Sequence, residues 1–247
     1  MIEVKVRFGS REIDCALVVF DKTGTITDLK SMWIPTIRKR IELLWRYGDK
    51  SILESDVLAA IGFDPFTWEP DPSGPFMMRT DRQALTSMLT ARGFSRDCAV
   101  ELVTRCCREA DHEVRRVDRA KLIPGVDEVL RKLKRSKVSL ALATMDRRAE
   151  VQSELTKLGV LDLFDATVTL DDITKHKPDP EMIEMICSRL DISPIRTVMV
   201  GDIPADMLMG KNAGVALTVG YTENPTQGIM TTADVVVSSY SEITVSR

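Results

Sequence analysis

Histidine is scarce, aromatic residues are few, and no stretch of this chain stays apolar for long. Of its 247 residues, two are histidines, His112 and His176, too far apart in sequence to read as a ligand pair. No apolar run approaches the roughly 20 residues that cross a bilayer. The longest runs, such as Ala16 to Phe20, are strand-sized. The N-terminal stretch MIEVKVRFGSREIDCALVVF alternates charged and apolar residues. It lacks the basic start, continuous apolar segment and small-residue cleavage site of a signal peptide. Five cysteines (Cys15, Cys98, Cys106, Cys107, Cys187) form no CxxC pair. An odd number without a secretion signal reads as reduced thiols in the cytoplasm. Cys106 and Cys107 would diverge on a helix, so they read as buried or idle thiols rather than a redox or metal site. Neither charge dominates: 34 basic residues face 37 acidic ones, for a net charge of -3. That balance gives no electrostatic case for a nucleic-acid partner. Internal repeats and low-complexity tracts are absent.

Apolar residues make up 44% and charged residues 29%, enough for a real core under a solvated surface. The length suits one large domain or a core with an inserted second one. Ile2 to Phe8 alternates with period two, Gly9-Ser10 is turn-like, and Ile13 to Phe20 ends in a solid apolar run. This predicts a hairpin whose second strand is fully buried and stops at Asp21-Lys22-Thr23-Gly24-Thr25. From Asp28 to Lys121 helical periodicity takes over. Ile34, Ile37, Ile41, Leu44 and Trp45 share one helical face, and Leu85, Met88 and Leu89 another; a third helix is expected from Asp97 to about Val117. Phe63 to Pro75 holds four prolines and one glycine and must be a loop. Beyond Leu122, strands and helices alternate. Expected strands are Val138 to Ala143, Ala166 to Leu170, Thr197 to Val200, Val215 to Val219 and Asp234 to Val237. Repeated βα units with such apolar strands predict an α/β fold, a doubly wound parallel sheet with helices on both faces. The domains expected are an α/β core of residues 1–27 and 122–247 and a helical insert of residues 28–121.

In open α/β sheets, ligands bind where strands end. Asp21 follows the first core strand and Thr144 the next. Lys175 and Lys177 occupy a later loop, Lys177 before Pro178-Asp179-Pro180, and Gly201-Asp202 follows the strand at Thr197, with Asp206 four residues on. The topology thus gathers acids, a hydroxyl and a lysine at one edge, although Asp21 and Asp202 are 181 positions apart. Clustered carboxylates repel each other and call for a cation. Oxygen ligands without histidine or thiolate favour magnesium, which shares its shell with waters and a phosphate. A carboxylate can attack phosphorus, and a hydroxyl, an ammonium and loop amides around Gly24 can hold the charged oxygens.

Taken together, Val18-Val19-Phe20-Asp21-Lys22-Thr23-Gly24-Thr25, Thr144, Lys177-Pro178-Asp179-Pro180 and Gly201-Asp202 with Asp206 resemble the four motifs of the haloacid dehalogenase superfamily in order, spacing and strand placement. The resemblance covers the core, and the insert resembles that family's helical cap. It implies a Rossmann-like core and a magnesium-dependent phosphatase acting on a small phosphorylated metabolite through an aspartyl phosphate. By resemblance, Asp21 is the nucleophile and a metal ligand, and Thr144 and Lys177 hold the transferring group along with the Gly24-Thr25 loop. Asp202 ligates the metal, Asp206 supports it directly or through water, and the Thr23 carbonyl is a further ligand. Lys175 competes with Lys177 for the lysine role, the K-P-x-P match favouring Lys177.

Thr23 departs from that pattern, since most phosphatases of the family carry an aspartate there as acid and base. A threonine hydroxyl does neither job well near neutral pH. The string DKTGT resembles the phosphorylation motif of P-type ATPases, but those pumps need membrane helices that this chain lacks. The expectation is slow turnover or a preference for good leaving groups. Two other readings stay open: a regulatory member that binds a phosphoryl ligand, and a phosphotransferase or slow ATPase. Asp146 and Arg147 read as a surface pair, Trp33 and Trp45 as core of the helical insert, and Trp68 as a candidate entrance residue with Met77, Met78 and Arg79.

Overall fold

The computed structural model describes residues 4–71, 74–76, 80–114, 116–223 and 230–245. Met77, Met78 and Arg79 lie outside the described residues. In chain order come β1 (Lys5–Phe8), β2 (Arg11–Asp14) and β3 (Leu17–Phe20). Among the described residues five α-helices follow: α1 (Leu29–Tyr47), α2 (Glu54–Ile61), α3 (Asp81–Ala91), α4 (Arg96–Glu113) and α5 (Arg116–Arg119). Then helices and strands alternate: α6 (Val126–Arg135), β4 (Ser139–Ala143), α7 (Arg148–Lys157), β5 (Ala166–Val168), α8 (Glu181–Leu190) and β6 (Thr197–Gly201). The last elements are α9 (Pro204–Asn212), β7 (Leu217–Tyr221), β8 (Val235–Val237) and β9 (Ile243–Val245). The chain divides into two compact units, Met1–Leu29 with Ala120–Arg247, and Lys30–Arg119.

In the first unit, six strands form a parallel sheet in the order β5-β4-β3-β6-β7-β8. Helices cover both faces, the doubly wound Rossmann-like arrangement. Alternation along β3 decides which side chain faces which layer. Val18 and Phe20 pack with Val126, Leu130 and Leu133 of α6 and Val151 and Leu155 of α7. Leu17 and Val19 pack on the opposite face with Met182, Ile183 and Ile186 of α8 and Met209 of α9. Each such buried side chain contributes about 1.5–3 kcal/mol of transfer free energy. Strand order reverses beside β3, since β4 and β5 lie on one side of it and β6 to β8 on the other. Register pairs Phe20 with both Leu142 and Val200. Asp21, the residues after Ala143 and Gly201 therefore emerge level at the reversal, where such sheets bind ligands.

A second, antiparallel sheet has the order β2-β1-β9. It corrects the expectation of one strand from Ile13 to Phe20. Cys15 donates its backbone N–H to Val4, whereas Ala16 donates to Arg196 beside β6. The chain changes partner there, so β2 and β3 belong to different sheets. β9 had no counterpart in the sequence reading.

The second unit is helical. Ile37, Ile41 and Leu44 of α1 pack with Val57 and Leu58 of α2, Leu85 and Leu89 of α3, and Leu102 and Val103 of α4. Arg40, 4% exposed, lies within this core and holds Asp81 at 2.9 Å and Asp111 at 3.3 Å, tying α1 to α3 and α4. Cys106 and Cys107 are buried free thiols. Trp33 meets Phe76 edge-on at 5.0 Å, and Trp68 lies under the Arg38 guanidinium at 4.6 Å. α4 ends at Glu113 rather than near Val117, because Val114 turns extended.

Candidate active site

Asp21 is placed by β3 and locked to the neighbouring strand, its backbone N–H donating to Val200 O at 2.9 Å. The loop after it folds back on itself: Ile26 and Thr27 both donate to Lys22 O, at 2.7 and 2.8 Å. Gly24 sits in this turn at φ +92°, a conformation that disfavours any side chain. A Cβ there would also collide with the Asp202 carboxylate. Glycine is thus demanded twice, by backbone angle and by the close approach of the acid. Thr25 turns its hydroxyl to Asp202 Oδ1 at 3.1 Å. Its carbonyl accepts the Tyr240 hydroxyl at 2.5 Å, and the Tyr240 ring stacks on Tyr221 at 4.8 Å.

Asp202 follows β6 directly, and Asp206 lies in the first turn of α9, which Pro204 opens. The Asp206 side chain is fully buried and accepts the Ile203 N–H at 3.3 Å. Lys177 arrives from the loop before α8 with a side chain only 4% exposed. Its ammonium donates to Asp21 Oδ1 at 2.6 Å, Asp206 Oδ1 at 2.8 Å and Ala143 O at 2.9 Å, which uses all three hydrogens. Lys175 is exposed and faces Asp179 at 3.4 Å. Geometry therefore favours Lys177 over Lys175 as the lysine of this cluster.

Oxygens of Asp21, Asp202 and Asp206 lie within 4.8 Å of one another. Burial pushes the Asp21 carboxyl up to about 6; Lys177 opposes this, and Asp206 and Asp146 add to it. Asp202 is raised well above the usual carboxylate range by burial, then by repulsion from Asp21 and Asp206. Burial opposes the charge on Lys177, yet Asp206 and Asp21 together hold it above its ordinary value. One lysine therefore leaves three crowded acids short of positive charge. An octahedral magnesium shell, with bonds near 2.1 Å, spans about 3.0 to 4.2 Å between its oxygens. The all-oxygen donor set and its charge fit such an ion, whose shell is slightly tighter than the 4.8 Å limit of this cluster.

Thr144, 2% exposed, meets Thr23 at a shared partner that the sequence reading misjudged. Asp146 is no surface residue. It is 9% exposed, and its Oδ2 lies 2.9 Å from Lys22 Nζ. The same oxygen accepts the hydroxyls of Thr23 at 3.2 Å and Thr144 at 3.4 Å. Lys22 also pairs with Glu154 of α7, and both are buried. Only Arg147 of the expected pair stays at the surface, 3.3 Å from Asp171. Lys22 and Glu154 left a readable trace. Lys22 continues the Val18–Phe20 alternation, and Glu154 interrupts the apolar stripe of Val151, Leu155 and Leu158. A charge at a core position implies an opposite charge beside it.

A doubly wound sheet whose central strand ends in an acid facing a Gly-Asp turn and a buried lysine defines a class of hydrolase. Residues 15–214 match the haloacid dehalogenase-like hydrolase family, and the chain belongs to it. Among its relatives, the pyrophosphatase PpaX of Bacillus velezensis is 32% identical over 197 residues, covering 80% of this chain and 79% of that protein. Validoxylamine A 7'-phosphate phosphatase of Streptomyces hygroscopicus subsp. limoneus is 35% identical over 121 residues, which is 49% of this chain but little more than half, 56%, of that protein. A HAD-superfamily hydrolase of Geobacter sulfurreducens shares the fold at a TM-score of 0.66 and 21% identity, covering 92% of this chain and 94% of that one. Among the described residues, no helix is long and apolar enough to cross a membrane.

Proposed function

We propose that this chain is a magnesium-dependent phosphohydrolase that cleaves a small phosphorylated metabolite through an aspartyl phosphate on Asp21. One observation carries the reading: Lys177 bridges Asp21 and Asp206, with Asp202 completing a tight carboxylate cluster beside them. Family membership and the phosphatase names of the relatives above support the same chemistry.

Asp21 attacks phosphorus, the bond from phosphorus to the leaving oxygen breaks, and that oxygen keeps the bonding pair and takes a proton from solvent to leave as the substrate alcohol. Lys177 offsets charge on Asp21 and on the incoming phosphoryl oxygens. Thr144 orients those oxygens, while Thr25 fixes Asp202. The Gly24 N–H donates to Thr27 O at 2.8 Å and the Thr25 N–H to Lys22 O at 3.3 Å, so these two amides, expected from the sequence to hold the phosphoryl group, serve the loop instead. Asp21, Asp202, Asp206 and the Thr23 carbonyl would hold the magnesium ion. Bound there, the ion supplies charge neutralisation and a template for the phosphate. Residues 28–121 are assigned to substrate selection as a cap. The five free thiols support a reducing cytoplasmic setting.

Thr23 makes leaving-group protonation weak, so turnover is slow and favours good leaving groups. General acid–base help is worth about 10²- to 10⁴-fold, and Thr23→Asp is expected to recover part of that. The reading is tested by p-nitrophenyl phosphate hydrolysis with magnesium and with EDTA. Metal-dependent turnover that Asp21→Asn abolishes supports it. Retained activity in Asp21→Asn overturns the nucleophile assignment. Thr23 also favours a second reading, a regulatory member that binds a phosphoryl ligand; binding of phosphate without any turnover would select it.

A further inference from the structure

The reaction just described leaves one buried carboxylate beside the site without a task. Asp146 follows β4 by three residues, and its charge is felt at Asp21. Its Oδ2 faces the Lys22 ammonium at 2.9 Å and receives the Thr23 hydroxyl at 3.2 Å. A carboxylate oxygen held against an ammonium offers lone pairs only, so the hydrogen of that contact belongs to Thr23. With its hydrogen held by Asp146, Thr23 Oγ1 has two lone pairs to present elsewhere. Thr23 is two residues from Asp21 on the same tight loop and, unlike Asp146, is only partly buried.

Opening an acyl phosphate requires a water whose oxygen lone pair faces phosphorus, and therefore an acceptor for one of its hydrogens. Lys177 and the Ile203 N–H each face one oxygen of Asp206, Thr25 faces Asp202 Oδ1, and the lone pairs left on these acids are the ones assigned to magnesium. Thr23 Oγ1 is an acceptor next to Asp21 that none of these contacts occupies. We infer that Asp146 is a positioning residue, turning the Thr23 hydroxyl into the hydrogen-bond acceptor that orients the water for dephosphorylation of Asp21. The water oxygen bonds to phosphorus, the bond from phosphorus to the Asp21 oxygen breaks, and its electron pair returns to the carboxylate. Both water hydrogens leave with dihydrogen phosphate, so Thr23 and Asp146 end as they began. Lys22, itself shared with Glu154, is what keeps a carboxylate buried at this spot. The inference rests on the aspartyl-phosphate reading and concerns its second half only.

The test separates the two half-reactions in the magnesium-loaded enzyme, using p-nitrophenyl phosphate and ³²P-acetyl phosphate with acid quench. Thr23→Val removes the hydroxyl with little change in shape, and Asp146→Asn removes the carboxylate. Each is expected to leave the first-turnover release of p-nitrophenol near wild type. Each should slow the steady state by about tenfold, the scale of one hydrogen bond, and so raise the labelled fraction of Asp21. Thr23→Ser should restore the wild-type pattern, and Thr23→Val with Asp146→Asn should be no worse than either alone. The inference fails if burst and steady state fall together, if the labelled fraction does not rise, or if the two single effects multiply. Should Asp146→Asn not fold, the Thr23→Val and Thr23→Ser pair still decides the matter. A wild type that neither turns over nor labels at Asp21 would overturn the phosphohydrolase reading itself, a distinct result.

Discussion

Replacing Asp21 by Asn should make the metal-free protein more stable while it abolishes turnover. Burial, with the repulsion of Asp206 and Asp146, lifts the Asp21 carboxyl from an ordinary 3.8 to about 6 despite Lys177. The folded protein therefore holds that proton more tightly than the unfolded chain does. Below pH 3.8 the group is neutral in both states and the fold keeps the full benefit. As pH rises through 6, the unfolded chain ionises freely and the folded one must ionise in a crowded, buried site. The difference of about 2.2 pH units is worth about 3 kcal/mol at 1.36 kcal/mol per unit. Asn keeps the shape, and its Oδ1 still accepts from Lys177, but it carries no charge. Urea denaturation in EDTA should show the variant and wild type nearly equal at pH 4 and diverging to about 3 kcal/mol by pH 8. Added magnesium should narrow the gap, because it binds the folded wild type more tightly. An Asp21→Asn variant no more stable than wild type at pH 8 would refute the argument that this cluster is short of positive charge.

Gly24→Ala is expected to destabilise by more than about 1–2 kcal/mol from backbone angle alone and to weaken magnesium binding through Asp202, as titration calorimetry would read. Tyr240→Phe leaves the Thr25 carbonyl without its hydroxyl partner; a loss of about 1–3 kcal/mol in denaturant and a lower kcat are expected. Lys177→Met should abolish hydrolysis, whereas Lys175→Ala, which removes an exposed side chain from a pair with half-buried Asp179, should match wild-type kinetics. Arg40→Met strands Asp81, while Asp111 keeps Arg82 at 3.5 Å, and should cost the helical unit about 3 kcal/mol in thermal or urea unfolding.

The parallel sheet was legible because its strands are solid apolar runs between helical periods, and the convergence of Asp21, Lys177, Asp202 and Asp206 followed from where strands end. Reading failed where a pairing partner changes without a change in pattern. Nothing in Ile13 to Phe20 marks Cys15–Ala16 as the hand-over from one sheet to another, because both halves remain extended. β9 is three residues long, too short for period to register. Asp146 was misplaced for a different reason. A charged residue next to Arg147 in a post-strand loop is the ordinary surface pattern, and only the third dimension reveals Lys22 beneath it.

The helical segment leaves and re-enters the core at a single doorway. Asp28 N–H donates to Lys121 O at 2.9 Å, Ile123 N–H donates to Ile26 O at 3.0 Å, and Thr27 bridges Leu122. Two strands of backbone thus zip together just where the excursion starts and finishes. Because loop-closure entropy grows only with the logarithm of length, whatever is spliced beyond that zipper barely burdens the chemistry beneath it. The core can exchange one excursion for another of different size while its own carboxylates stay in place.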